Sequence, residues 1–333
     1  MPLVLVFLAG WWGPGLPLSP RGESSPQLNY LWMLRRQLSS GQALSGWNPL
    51  VLGGQPTLVA RVYHLDLILA GLSLALNISP EWMLKLLDLF AALFSAWGAY
   101  AFARRLGGPA AQGDTPVAAL LTGIVFALFP ARIALTVESI FVTCAWTGLP
   151  WIFWAYERTR DPQVAPHRAA IGLGLAWTWL ALTGTQWFLL LIIPFLAYVV
   201  LREAATWLAT RHEGPGFWRV LGKLIYTGLL AGLVLVGLTL FYYWPSLREA
   251  NLLWSSRYIE AYPASSRWSI PWQVLGEILW RRWQPGFAPF DWDLARIVPN
   301  MSWYIGLPIC LLAVLGLARR CQWTQTIPLF GLL

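Results

Sequence analysis

Residues 82–105 read WMLKLLDLFAALFSAWGAYAFARR. This is an apolar run that ends in two arginines. A helix needs about 20 predominantly apolar residues to cross the hydrocarbon core of a bilayer, and 82–102 is long enough. Two ionisable side chains interrupt the run near its start. Lys85 and Asp88 stand three apart and so share one helix face. They either neutralise each other as an internal ion pair or form a supporting pair beneath a cavity. Arg104-Arg105 at the far end is a topological mark, because basic residues collect on the cytoplasmic side of membrane helices.

Similar apolar runs follow at 116–135, 139–156, 169–184, 187–201, 222–243 and 302–318. The 333-residue chain is 57% hydrophobic and 11% charged, with a mean hydropathy of +0.54. Soluble domains carry about 25% charged residues. The composition therefore predicts an all-α, polytopic helical membrane protein, a single transmembrane domain over 1–333. The 23 tryptophans suit the interface, where an indole sits half in lipid and half in water. The net charge of +8 reads as topology rather than as nucleic-acid binding, so no nucleic-acid partner is expected. Cys144, Cys310 and Cys321 lie in or beside apolar runs without metal-ligand spacing and read as small packing residues.

The basic clusters Arg158/Arg160/Arg168, Arg202/Arg211/Arg219/Lys223 and Arg319/Arg320 join Arg104-Arg105 on one side when the spans alternate from residue 82 onward. The loops 13–80 and 244–300 then share the opposite, outer side. The segment 57–77 is apolar overall but carries Arg61, His64 and Asp66. Counting it as a span would break the charge parity. It is expected to be a re-entrant or interfacial helix lining a cavity, since polar groups at membrane depth need protein or water around them. Residues 2–12 are apolar but too short to span, and the chain stops inside another apolar run at 331–333. Truncation at both ends is expected, with the chain forming the N-terminal part of a longer protein.

The early outer loop contains RGESSPQLNYLWMLRRQLSSGQALSGWNPLVLGGQP at 21–56. Leu28, Leu31, Trp32, Leu34 and Leu38 oppose Asn29, Arg35, Arg36 and Gln37 in an amphipathic piece. Turn residues then crowd at Trp47-Asn48-Pro49 and Gly53-Gly54-Gln55-Pro56, a density that shapes a loop. Glu23 opens this loop, and Glu138 lies in the tight turn between two later spans on the same outer side. Each is either a solvated interfacial acid or a functional carboxylate. Glu138 has the further option of pairing with Arg132. His64 and Asp66, two apart, would not share a helix face, so they make a weak metal pair by themselves. The late loop interleaves Arg248, Arg257, Arg267, Arg281, Arg282 and Arg296 with tryptophans and tyrosines. It is either an interfacial anchor or a phosphate and sugar site, because the planar guanidinium fork matches phosphate. Arg257 and Arg267 are singled out by their aromatic neighbours. No GxxxxGK[ST] phosphate loop occurs.

An acid in a first outer loop, an amphipathic helix, Gly41…Trp47-Asn48-Pro49…Gly53-Gly54-Gln55-Pro56, a span ending in Tyr100…Arg104-Arg105, and Phe129-Pro130…Glu138…Leu149-Pro150 with Tyr156-Glu157-Arg158 follow in order. Ser302-Trp303-Tyr304-Ile305-Gly306-Leu307-Pro308 opens the span after the late loop. Together these resemble membrane glycosyltransferases of the GT-C superfamily, in particular the YfhO-like and dolichyl-phosphate-mannose-mannosyltransferase-like groups. The resemblance implies a GT-C-like fold with a large first outer loop. It also implies sugar transfer from a polyprenyl-phosphate donor to a glycan, lipid or protein acceptor, at the outer face of a bacterial plasma membrane. By the same resemblance, Glu23 and Glu138 are the catalytic acids, acting as general base or holding a divalent metal (Mg or Mn). Arg257, Arg267, Trp47, Asn48, His64 and Asp66 fall to substrate binding, and Lys85, Asp88 and Arg132 support them. Glu23 stands where the family usually has Asp, one methylene shorter. The alternative is a non-enzymatic lipid or polysaccharide transporter or assembly protein on the same scaffold. That role would scatter intramembrane charges along a pathway and pair interrupted helices.

Overall fold

The computed structural model describes residues 24–41, 47–48, 55–56, 65–107, 115–128, 132, 140–183, 185–210 and 217–248. The described chain is helical apart from one two-residue strand pairing. Helix α1 (Ser24–Ser39) buries Gln27, Leu31 and Leu34, a spacing of four and then three that lines one helix face. That face rests on α2 (Leu65–Ala75). Helix α1 ends where the Ser39 and Ser40 hydroxyls bond back to the carbonyls of Arg36 and Gln37. Gly41 then turns the chain at φ +63°, a conformation glycine adopts without penalty. The two turn-rich segments beyond α1 come together as an antiparallel pair, β1 (Trp47–Asn48) with β2 (Gln55–Pro56), in the register Trp47↔Pro56 and Asn48↔Gln55.

Helix α2 buries Asp66, Leu69, Ala70 and Ser73 along one face. Its 11 described residues cover the second half of the 57–77 segment, and residues 57–64 lie outside the described residues. Asn77 closes α2 at φ 52°, and the Ser73 hydroxyl donates to the Ile78 carbonyl at 2.6 Å. Helix α3 (Pro80–Gly107) starts at once. Ser79 accepts the Trp82 and Met83 N–H groups through its hydroxyl and carbonyl respectively, and Pro80 fills the first helical position, where a missing N–H costs nothing.

The remaining helices are α4 (Thr115–Ala127), α5 (Ile140–Thr147), α6 (Leu149–Thr159), α7 (Pro166–Thr183), α8 (Thr185–Thr210) and α9 (Phe217–Arg248). Two differ from the apolar runs read in the sequence. The 139–156 run is broken at Gly148, since Pro150 in the first turn of α6 cannot donate to the preceding turn. Helix α8 runs on past the expected 201 to Thr210, carrying Arg202 and Glu203 in helical register. The 302–318 run and the 244–300 loop beyond Arg248 lie outside the described residues.

Among the described residues, three helices are long and apolar enough to cross a membrane: Pro80–Leu106, Leu191–Leu208 and Leu221–Leu240. Ile193, Val200, Leu229 and Leu233 on the latter two are largely exposed, as expected of side chains solvated by lipid rather than water. The chain is thus a helical, membrane-associated protein.

Two compact units divide it. The described part of the first holds α1, α2, the start of α3 to Ala91, Arg132, the start of α5 to Cys144, and α9 from Thr239. The second holds the rest of α3, α4, α6, α7, α8 and α9 to Leu238. The second unit's core gathers Ile152, Phe153, Tyr156, Leu173, Trp177, Leu180 and Tyr198. Its rings meet edge to face, Phe153 on Tyr198 at 5.0 Å and Trp177 on Phe195 at 5.1 Å, the arrangement that aromatic quadrupoles favour. Helices α7 and α9 approach closely at Gly174, where a Cβ would stand 2.7 Å from the Ala231 carbonyl oxygen. Small residues permit such contacts between membrane helices.

Candidate functional site

The first unit builds a polar centre on the opening turns of α3. At the helix start, Glu81 accepts a hydrogen bond from the Trp32 indole at 2.8 Å, and Arg35 donates to Asn77 at 3.4 Å. Helix α1 is thereby held across the turn that launches α3. Glu81 also complements the positive end of the helix dipole. One turn further along, Lys85 and Asp88 are fully enclosed, at 2% and 0% exposure. With 1.5 Å of rise per residue, Asp88 lies roughly 12 Å along the axis from the helix start. The Lys85 ammonium stands over the Trp82 ring, 4.6 Å from its centroid, where the negative face of the indole stabilises it.

Arg132, 3% exposed, reaches this turn from a distant part of the chain. One guanidinium nitrogen donates to the Asp88 carboxylate and also, at 2.9 Å, to the Asp88 main-chain carbonyl. Besides Glu138, the local partner that the sequence suggests and that lies outside the described residues, Arg132 thus has a long-range partner in the buried acid of α3. The buried Thr143 and Cys144 belong to the same unit, and Cys144 feels the charge of both Asp88 and Arg132. Asp66 is a further buried acid of this unit. Removing an ion from water costs several kcal/mol even after relaxation. Ionisable groups within membrane helices accordingly mark functional positions by default.

The second unit holds a different polar assembly that sequence reading missed. Glu157 of α6 accepts from Tyr198 at 2.8 Å and from Arg202 Nε at 3.0 Å, and lies 3.5 Å from Arg160. Glu203 accepts from Tyr156 at 2.6 Å and from Arg160 Nε at 3.0 Å. Arg160 also donates to Thr206 at 2.5 Å. Two carboxylates and two guanidiniums balance in charge, and each carboxylate has at least two partners. The assembly bonds α6 to α8. By sequence alone, Arg160 and Arg202 read only as topological charge. The signal that pointed further was an acid inside each basic cluster, Glu157 beside Arg158 and Glu203 beside Arg202.

Glu23, Glu138, His64, Arg257 and Arg267 lie outside the described residues, although Ser24 and Ile140, which closely follow the two acids, both belong to the first unit. Trp47 and Asn48 are placed by the strand pairing. Asp66, Lys85, Asp88 and Arg132 are all buried within the first unit. Among the described residues no group of three or more His, Cys, Asp or Glu is arranged to hold a metal. A scan against protein-family models, a search of curated proteins and a search of solved structures each return no match.

Proposed function

We propose that the chain is a membrane glycosyltransferase that moves a sugar from a polyprenyl-phosphate donor to an acceptor hydroxyl at the outer membrane face, on a GT-C-like scaffold with a large first loop. The observation that carries this reading is the bond between Arg132 and Asp88. It joins Arg132, six residues before Glu138 in the sequence, to α3, whose start is bonded to α1, the helix following Glu23. Ser24 and Ile140, the described residues nearest to the two candidate acids, belong to one compact unit. The end of α9, which leads into the arginine-rich late loop, belongs to that unit as well.

In the proposed reaction the acceptor oxygen attacks the anomeric carbon, and the bond from that carbon to the phosphate oxygen breaks. The hydroxyl proton passes to Glu23 or Glu138 as general base, and the polyprenyl phosphate leaves with the bonding electrons. Arg257 and Arg267 would stabilise the charge that develops on the leaving phosphate. Trp47, Asn48, His64 and Asp66 would line the sugar and headgroup side. Lys85, Asp88 and Arg132 form the buried base that positions the loops. Carboxylate oxygens suit Mg²⁺ or Mn²⁺, and Glu23 and Glu138 are the residues that would hold such an ion. The transporter reading calls for intramembrane charges spread along a pathway. Among the described residues the charges fall instead in two mutually bonded sets, Asp88 with Arg132 beside Lys85 in the first unit and Glu157, Arg160, Arg202 and Glu203 in the second.

The test is sugar transfer from polyprenyl-phosphate sugars in membranes containing the protein, comparing wild type with Glu23→Gln and Glu138→Gln at equal expression. Loss of transfer in either variant supports the assignment. Transfer unchanged in both would remove these acids from the chemistry. No transfer by wild type across a panel of donors would favour a transporter or assembly role.

A further inference from the structure

Helices α3 and α6 run in the same direction through the second unit. Their contacts advance together, Phe94 and Gly98 meeting Trp151, Phe102 meeting Phe153, and Arg105 meeting Asp161. Each carries the same short pattern on its flank. On α3, Trp97, Tyr100 and Arg104 are spaced three and four apart; on α6, Trp151, Trp154 and Arg158 are spaced likewise. In both cases the guanidinium lies over the aromatic ring one turn before it, Arg104 at 5.9 Å from the Tyr100 centroid and Arg158 at 4.9 Å from that of Trp154. The two stripes touch through Trp97 and Trp151 at 5.4 Å, and Trp151 continues to Trp154 at 5.3 Å. Trp97 is 62% exposed. Asp161, the acid of the adjoining turn, is bonded to Arg105 at 2.5 Å. Among the described residues neither Arg104 nor Arg158 forms a salt bridge.

We infer that the flank shared by α3 and α6 binds one anionic phospholipid, its phosphate between Arg104 and Arg158 and an acyl chain along Trp97, Trp151 and Trp154. Charge placement along membrane helices accounts for arginines at this end. It does not account for two parallel stripes in which each arginine is held on an aromatic face. A guanidinium held in this way loses little further freedom on meeting a phosphate, and its fork matches phosphate oxygens. Basic pockets between membrane helices recognise anionic headgroups by this chemistry. The inference depends on α3 and α6 facing lipid and is independent of sugar transfer.

The experiment is native mass spectrometry of the detergent-solubilised full chain with equimolar phosphatidylglycerol and phosphatidylcholine of matched acyl length. Wild type is expected to retain a first phosphatidylglycerol with a preference on the order of tenfold. Arg104→Gln with Arg158→Gln should abolish that preference. Arg104→Gln alone, a change at an exposed side chain that leaves packing intact, should reduce it to about threefold. The charge-matched control, Arg36→Gln with Lys223→Gln, should keep it. No preference in wild type, its survival in the double variant, or an equal loss in the control would overturn the inference. So would displacement of the lipid by millimolar glycerol phosphate, because the site would then take any phosphate.

Discussion

Arg132 bonds both the carboxylate and the main-chain carbonyl of Asp88, 44 residues earlier in the chain. The carbonyl belongs to a helical turn, so this one side chain registers its own segment against a particular rung of α3. A long-range contact of this kind fixes position as well as charge.

Breaking the pair from one side leaves a buried charge behind. Asp88→Asn or Arg132→Gln is expected to cost about 3–5 kcal/mol. The double variant should cost less than the sum of the two, by roughly 1–3 kcal/mol. Thermal unfolding of the four proteins in detergent measures this coupling. Strict additivity would mean that the two groups do not stabilise each other.

Gly98 admits the Trp151 indole against α3, and a Cβ there would stand 2.7 Å from the indole nitrogen. The ring has little room to retreat. It donates to the Phe94 carbonyl at 3.0 Å and stacks on Phe94 at 4.9 Å. Gly98→Ala should therefore destabilise by about 1–3 kcal/mol through overpacking. Pairing it with Trp151→Leu should recover part of that loss. If Gly98→Ala melts like wild type, the close approach of α3 and α6 is wrong.

Within the bonded assembly between α6 and α8, the charged member matters more than the neutral one. Glu157→Gln leaves Arg202 and Arg160 short of a counter-charge and should cost roughly 3 kcal/mol. Tyr198→Phe removes a single hydrogen bond and should cost about 1 kcal/mol. Unfolding temperatures decide the order; a larger effect from Tyr198→Phe would show that ring packing, not charge, dominates here.

Asp161 lies in the turn between α6 and α7. The main-chain N–H of Gln163, at 2.9 Å, and then the Arg105 guanidinium hold its carboxyl below the ordinary value of 3.8. A carboxylate whose folded pKa is depressed contributes stability that is present above 3.8 and is lost as pH falls below it. Acid titration of the unfolding temperature should show this loss below about pH 4. Asp161→Asn should flatten that part of the curve while lowering stability at neutral pH. An unchanged acid limb in Asp161→Asn would exclude this carboxylate as a source of acid sensitivity.

Helical class and membrane association were legible in the sequence because both depend on local quantities. A run such as 82–102 is apolar over the length a bilayer requires, and no distant residue can alter that requirement. The amphipathic face of α1 and the adjacency of Lys85 to Asp88 on one face follow from helical spacing in the same way. Helix ends were less legible. The proline effect at Pro150 is local, but average hydropathy hides it.

Partnership was decided only by tertiary structure. Arg132 has an acid six residues away in sequence, and spacing could not reveal that a buried carboxylate on another helix would also meet it. Arg160 and Arg202 resembled topological charge until α6 and α8 came together around Glu157 and Glu203. In a buried setting an ion must find a counter-ion wherever packing brings one, since leaving it alone costs several kcal/mol. Periodicity specifies which face a side chain occupies, but the identity of the opposing face is set by how distant helices pack.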